Sequence, residues 1–283
     1  MANYALDNAN AHGAAHLGGL TGLFDEFTCA RIAESSRLPG ARALEIGAGN
    51  GSVALWLAGQ VGPDGSVTAV DLDVSHIPPH ERLTVSRLDL LEQPPPDGPF
   101  DVIHGRCVMT HLPNRDTLLP ALGERLAPGG TIIIEDFDPF GLERAAHLLS
   151  APAGVAELLS GPAGVAELPS GPAGVAELWH RYVQLRQQIF HESGSDRGFI
   201  TRAPGLLLRA GLGDVQAVTW CRSWRGGEPG SWHARATLEQ FRPRLVEHGF
   251  PDEAVNVLVR ALDDPDFYSA GRPLCSVSGR APA

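Results

Sequence analysis

The sequence predicts an α/β protein whose mostly parallel sheet carries helices on both faces. Three observations point there. Between Leu44 and Glu135, short β-rich apolar runs alternate with segments of helical character, the order expected of strands joined by crossover helices. Turn signals, Gly62-Pro63-Asp64-Gly65 and Pro128-Gly129-Gly130, stand just before two of those runs,. A glycine-rich turn closes the first run and opens a helix,.

In chain order, the first ~20 residues read as an arm or lid, and Gly22 to Ser36 as a helix beside the sheet. Strands follow at Arg42–Ile46, Val67–Asp71, Leu83–Val85, Phe100–Ile103 and Thr131–Ile134, with Ser52–Ala58 helical after the first,. Val215–Trp220 and Leu274–Ser278 are the last candidate strands, and Ser231–His248 and Asp252–Leu262 read as helices of a cap. The expected organisation is an N-terminal helical arm over 1–40 and a ligand-binding core over 41–138. A cap insertion follows over 139–200, and residues 201–283 complete the sheet and carry the substrate cap. Within the insertion, Ala151-Pro152-Ala153-Gly154-Val155-Ala156-Glu157-Leu158 recurs nearly unchanged from Gly161 and again from Gly171. Units of that length, with Gly and Pro in each, cannot bury a core, so they read as an expanded surface insertion. A flap over the substrate pocket is the alternative.

Composition narrows the function. The 283 residues are 43% hydrophobic and 19% charged, enough for one good core and a smaller cap. No apolar run approaches the ~20 residues that cross a bilayer, and the N-terminus lacks the basic start and apolar stretch of a signal peptide. Cys29, Cys107, Cys221 and Cys275 form no CxxC pair and read as reduced thiols of a cytoplasmic protein, with no metal site expected. A net charge of -11 with no basic stripe argues against nucleic acid as a partner. All 22 Lys+Arg positions are arginine, which excludes a Schiff-base lysine and a P-loop lysine. Oligomeric state is left open, a homodimer included.

The strongest local signal is Leu44-Glu45-Ile46-Gly47-Ala48-Gly49-Asn50-Gly51-Ser52, between a strand and a helix. Glycines there let the backbone turn sharply and approach a ligand. The spacing is GxGxG, not the GxGxxG usual for a pyrophosphate. Asp71 ends the second strand, ~20 residues on, where a carboxylate can accept both ribose hydroxyls. Asp89 follows the third strand and can accept from an adenine amino group. The alternative for both acids is an Asx turn at a strand end. An acidic pocket suits a cationic nucleoside better than a diphosphate.

Glu45-Ile46-Gly47-Ala48-Gly49-Asn50-Gly51, Val70-Asp71, Asp89, Phe100-Asp101-Val102-Ile103 and Leu126-Ala127-Pro128-Gly129-Gly130 resemble, in order and spacing, the class I S-adenosylmethionine-dependent methyltransferases. The resemblance covers roughly 40–138. Later segments, Gly205–Leu212 and Ala261–Phe267, look like actinobacterial small-molecule members. It implies a Rossmann-like seven-stranded sheet whose last-placed strand is antiparallel, and S-adenosylmethionine as cofactor. It also implies Glu45, Gly47, Gly49 and Gly51 near the methionine moiety, Asp71 with Leu72 at the ribose, Asp89 with Leu90 at the adenine, Arg106 at the methionine end, and Tyr4 closing over the cofactor.

Methyl transfer needs alignment above all, and a base where the acceptor loses a proton. The carboxyl ends of the fourth and fifth strands nominate His104 and His111, then Glu135, Asp136 and Asp138,. Of these, His111, Glu135 and Asp138 are the candidates for catalysis. The alternatives are helix capping for His111 and polar lining for the acids. Trp179, Tyr182 and Phe190 at helical spacing pack as core or line an aromatic acceptor pocket. The Asn-Pro-Pro-aromatic motif of DNA and protein amino methylation is absent after the fourth strand, which with the acidic charge favours a small acceptor, its reacting atom O, N or electron-rich C; the resemblance implies a place in secondary metabolism. Two other readings use the same turn: an NAD-dependent oxidoreductase and a non-catalytic S-adenosylmethionine-binding protein.

Overall fold

Apolar residues fall on both faces of the central strands, so the sheet can be stable only with helices on each side. The computed structural model describes residue 6, residues 12–138 and residues 174–283. Its strands are β1 (Arg42–Ile46), β2 (Ser66–Asp71), β3 (Leu83–Arg87), β4 (Phe100–Arg106), β5 (Leu126–Phe137), β6 (Gly213–Trp220), β7 (Trp224–Arg225), β8 (Tyr268–Ser269) and β9 (Leu274–Arg280). Seven form one sheet in the order β3-β2-β1-β4-β5-β9-β6, and β7 pairs with β8 apart from it. The first five strands pair in parallel. The last to be made, β9, inserts antiparallel between β5 and β6. This is the Rossmann-like methyltransferase architecture that the motifs imply.

The helices are α1 (Gly13–Ser35), α2 (Ser52–Gln60), α3 (Arg115–Gly123), α4 (Val175–Glu192), α5 (Phe199–Arg209), α6 (Pro229–Glu247) and α7 (Asp252–Asp263). One face of the sheet buries Ala43, Val67, Val102 and Ile133 against Ile32 of α1 and Val53 and Leu57 of α2. The other buries Leu44, Ile46, Ile103, Ile132 and Ile134 against Leu118 and Leu122 of α3 and Phe199 and Leu207 of α5. Neighbouring residues of one strand thus serve opposite layers, as the two-residue period of a strand requires. A third cluster joins α4, α6 and α7 through Trp179, Tyr182, Phe241, Phe250 and Phe267 and forms the helical cap.

Several elements extend past their expected ends, α1 and β5 the furthest. The first helix starts at Gly13, so part of the expected arm is helical. Its glycines serve packing: a Cβ on Gly19 would strike His233, and one on Gly22 would strike Pro229, so α1 lies close on α6. The fifth strand runs through Phe137, carried on by its ladder with β9. Tyr4 and most of the ten-residue repeats lie outside the described residues. The last repeat's Val175-Ala176-Glu177-Leu178 is the first turn of α4.

Candidate functional site

Strand order reverses between β1 and β4, and in parallel sheets the crevice beyond the carboxyl ends of such strands is where ligands bind. A cavity of about 1080 Å³ opens there and is roofed by α1, α4 and α6.

Its floor is the glycine turn. Gly47, Gly49 and Gly51 have φ of +62°, +57° and +81°, the left-handed region that costs other residues strain. Gly47 and Gly49 line the cavity; Gly51 starts α2, where an added Cβ would meet Ile77. One wall is rich in acids. Asp71, Leu72, Asp73, Asp89 and Leu90 all line it, with Arg87 among them. Asp71 Oδ2 accepts the Gly49 N–H at 2.8 Å and its Oδ1 the Asp73 N–H at 3.1 Å. Asp89 Oδ1 accepts the Leu91 N–H at 2.9 Å. Both alternatives for these acids therefore hold at once: each closes a turn and faces the cavity. Burial raises the Asp71 pKa, against the pull of the backbone hydrogen bonds it accepts.

Arg106 also lines the cavity, but its guanidinium is engaged with α1, donating to Asp25 Oδ1 at 2.7 Å and to Thr28 Oγ1 at 2.9 Å. Thr28 in turn donates to Glu135 Oε2 at 2.5 Å. His104 Nδ1 lies 2.7 Å from Glu45 Oε2, and its Nε2 lies 3.6 Å from Glu135 Oε2. Burial opposes charge on His104, but Glu45 and Glu135 outweigh it and raise its pKa to about 9. Glu135 is buried too, and hydrogen bonding and attraction to His104 still lower its pKa. Glu45, expected beside the methionine moiety, and Glu135, expected to handle protons, thus bind His104 inside the sheet, and neither is among the cavity-lining residues. The cause is register: β1 and β4 pair Glu45 with His104.

At the far end, His111 and Asp136 line the cavity and Asp138 does not; the Asp138 N–H extends the β5 edge by bonding the Pro273 carbonyl at 2.9 Å. Because β5 continues to Phe137, Glu135 and Asp136 face opposite ways. Asp136 Oδ2 accepts the Thr110 N–H at 3.1 Å, and burial raises its pKa to about 6. His111 Nδ1 lies 3.1 Å from Ser195 Oγ; burial, followed by the charges of His16, Arg197, Arg115 and Arg272, lowers its pKa to about 3. Trp179 and Phe190 line the cavity, whereas Tyr182 is buried in the cap core and does not.

Several lining residues escaped the sequence reading. His16 sat in the expected arm, and its ring lies 4.4 Å from that of His233. Arg186 carried a legible signal, an arginine inside the buried stripe Val175, Trp179, Tyr182, Val183, Ile189 and Phe190 of α4,. Among the described residues, no group of three or more His, Cys, Asp or Glu stands together as a metal site, and no helix is long and apolar enough to cross a membrane.

Comparison with known proteins agrees with this architecture. Residues 23–161 match the family model of a methyltransferase domain. Methyltransferase str3 of Strobilurus tenacellus is 40% identical over 120 residues, 40% of this chain and 42% of its own. The 27-O-demethylrifamycin SV methyltransferase of Amycolatopsis mediterranei is 30% identical over 121 residues, 38% of this chain and 44% of its own. The chain therefore spans less than half the length of these two relatives. Among solved structures, a candidate methyltransferase of an antibiotic biosynthesis pathway from Anabaena variabilis covers 90% of this chain and 98% of its own at TM-score 0.56 and 14% identity. Haemonchus contortus phosphoethanolamine N-methyltransferase 2 with bound S-adenosyl-L-methionine covers 96% of this chain and 57% of its own, at 0.54 and 15%.

Proposed function

We propose that this protein binds S-adenosylmethionine and transfers its methyl group to a small-molecule acceptor. The observation that carries the proposal is Asp71, at the carboxyl end of β2, with its carboxylate on the cavity wall and Gly49 bonded to it. Beside two glycines it offers oxygen acceptors for ribose hydroxyls, and the acids around it suit a sulfonium and an ammonium better than a pyrophosphate. Asp89 and Leu90 would take the adenine, Leu72 the ribose edge, and Gly47 with the Arg106 backbone the methionine end. The cofactor supplies a methyl group on a good leaving group, so the chain's work is alignment and exclusion of water.

The wall beyond Arg106 would hold the acceptor. Trp179, Phe190 and Trp224 give it an apolar body, and His111 and His16, kept neutral by burial, can take a proton that an acceptor releases. A role in secondary metabolism is supported by the relatives and by the spacious aromatic chamber.

Parallel calorimetric titrations with S-adenosylhomocysteine and NAD test the cofactor. Saturable binding of the first alone is expected, and binding of NAD alone would overturn the proposal. Labelled S-adenosylmethionine incubated with a metabolite extract, read by mass detection, then reveals the methylated product.

A further inference from the structure

We infer that the methyl acceptor is an uncharged aromatic compound that offers an O–H or N–H donor to His16 and His233, two histidines on the roof of the cavity. This rests on the methyl-transfer reading for the word acceptor, while the donor-binding pair stands on its own geometry. α1 and α6 cross closely because Gly19 has no side chain: a Cβ there would lie 2.6 Å from the His233 backbone nitrogen. His16 stands one turn before Gly19 on the same face, so the crossing brings its ring to 4.4 Å from that of His233. Both residues line the cavity. Leu17, next in the chain, lies 3.0 Å from where a Cβ of Gly49 would stand, which sets the pair near the glycine turn and so near the reacting end of a bound cofactor.

Each ring has one nitrogen tied down. Thr237 donates its hydroxyl to the His233 carbonyl at 2.9 Å, so its oxygen accepts from His16 Nδ1 at 3.3 Å. His233 Nδ1 lies 3.5 Å from the His16 carbonyl, and a carbonyl only accepts. Both rings therefore carry their hydrogen on Nδ1, because the bond made at one nitrogen sets the tautomer. Nε2 of each is left as a bare lone pair, and neither has a hydrogen-bond partner among the described residues. Neither belongs to the sealed polar atoms that lack one, so both open on the cavity that the rings line.

The charges around the pair narrow the ligand further. Burial comes first in keeping both rings neutral, and the charge of Arg272 acts on each in the same sense. That charge equally opposes an ammonium. A lone pair, for its part, offers no hydrogen to the oxygens of an anion. Asp136, which also lines the cavity, already accepts the Thr110 and Phe137 N–H groups. A neutral donor is what two bare nitrogens accept without penalty. The walls beside them are aromatic: the Phe137 ring lies 6.3 Å from that of His233 and 5.6 Å from that of Phe24, and Phe24 and Phe137 both line the cavity. Phenols and indoles join such a donor to a flat apolar body.

The test uses the full chain, with and without saturating S-adenosylhomocysteine, and follows probe binding by calorimetry. Phenol is paired with fluorobenzene and indole with indene, so each pair differs in little but the donor, and benzylammonium supplies a cation. Phenol, indole or both should bind about 10-fold or more tightly than the donorless partner, and benzylammonium no more tightly than fluorobenzene. The tighter of the two separates O–H from N–H. In wild-type protein with nitrogen-labelled histidine, Nε2 of His16 and His233 should be unprotonated and should shift on adding the bound donor probe but not its partner, a readout that needs no variant to fold. His16→Phe and His233→Phe should each cut the preference to about 3-fold or less, while S-adenosylhomocysteine affinity stays within about 2-fold. Equal binding within both pairs, tighter binding of benzylammonium, or a hydrogen on Nε2 in the free protein overturns the inference. So does a preference that survives both substitutions, or loss of S-adenosylhomocysteine affinity in the variants, which would give the pair to the cofactor. Histidine-dependent donor binding in a protein that fails to bind S-adenosylhomocysteine would uphold the donor site and remove the methyl-transfer reading.

Discussion

His104 Nδ1 lies 2.7 Å from Glu45 Oε2 between neighbouring parallel strands, and neither residue reaches solvent: their exposures are 0% and 3%. With Glu135, Thr28, Arg106 and Asp25, this pair forms a polar chain from the middle of the sheet to α1. Removing the central ring would strand the buried Glu45 and leave Glu135 with Thr28 alone as hydrogen-bond partner, so His104→Phe should cost about 3–5 kcal/mol in urea unfolding. His104→Gln, which keeps a donor, should cost less. An equal cost for both would mean that the donor kept by glutamine contributes nothing to holding the carboxylates.

The same pair predicts an alkaline limit. The folded pKa of His104 is raised to about 9 from 6.5, so the folded state binds the proton more tightly. The resulting stability is complete below about pH 6.5 and is lost as pH rises through about 9, by an amount on the order of 3 kcal/mol. Unfolding free energies measured across that window should fall in the wild type and stay flatter in His104→Gln.

Acid should destabilise the protein through other histidines. Burial comes first in lowering His16 to about 4, His111 to about 3 and His233 well below 6.5. Here the unfolded state binds the protons, so stability present above pH 6.5 is lost as pH falls towards these folded values. Asp136, raised to about 6, works the other way between about pH 4 and 6, offsetting one histidine of the three. Net stability should therefore decline from pH 6.5 downward, with a shallower slope in His111→Gln. A slope unchanged by that substitution would show that His111 is already protonated in the folded state.

What the sequence made legible was whatever local chemistry decides. The glycine turn, Asp71 and Asp89 face the cavity because each stands where a strand ends, and strand ends can be read from turn residues. Side chains just past β4 and β5 were less legible. Whether Glu135 or Asp136 faces the ligand depends on how far β5 runs, and that is set by pairing with β9 far along the chain. Glu45 reads as a ligand-facing acid until its cross-strand neighbour is known, and that neighbour is fixed by register rather than by spacing. Arg186, Arg197, Arg222 and Arg272 reach the cavity from separate segments, so no short window of the sequence could contain them. Only Arg186 could have been flagged, as a charge within an apolar helical stripe.

Gly47→Ala tests the floor of the cavity. The residue has φ +62°, and an added Cβ would overlap the Val108 side chain. Strain and overlap together should destabilise the protein by about 1–3 kcal/mol and weaken S-adenosylhomocysteine binding further, because the turn itself must shift. Gly40→Ala is the control: it has φ +78° with open space around it, so it carries the strain without the overlap. Equal losses in both variants would leave Gly47 no role beyond its backbone angle.

Asp71 separates cofactor binding from loop building, because its two oxygens do different work. Oδ2 holds Gly49 and Oδ1 holds the Asp73 N–H, yet a carboxylate has further lone pairs to offer a diol. Asp71→Ala loses all of these and should weaken S-adenosylhomocysteine by about 2 kcal/mol, roughly 30-fold. Asp71→Asn keeps one acceptor for the loop but turns an NH2 towards the other N–H and loses the charge, so it should cost about 1 kcal/mol in unfolding while affinity falls by about 10-fold. The pH profile supplies a second check. Burial raises the Asp71 pKa, and a diol favours the ionised form, so wild-type affinity should fall on acidification before that of an ordinary carboxylate site would. Asp71→Asn should lack that fall. If the variant keeps it, the titrating group lies elsewhere and the ribose belongs on another residue.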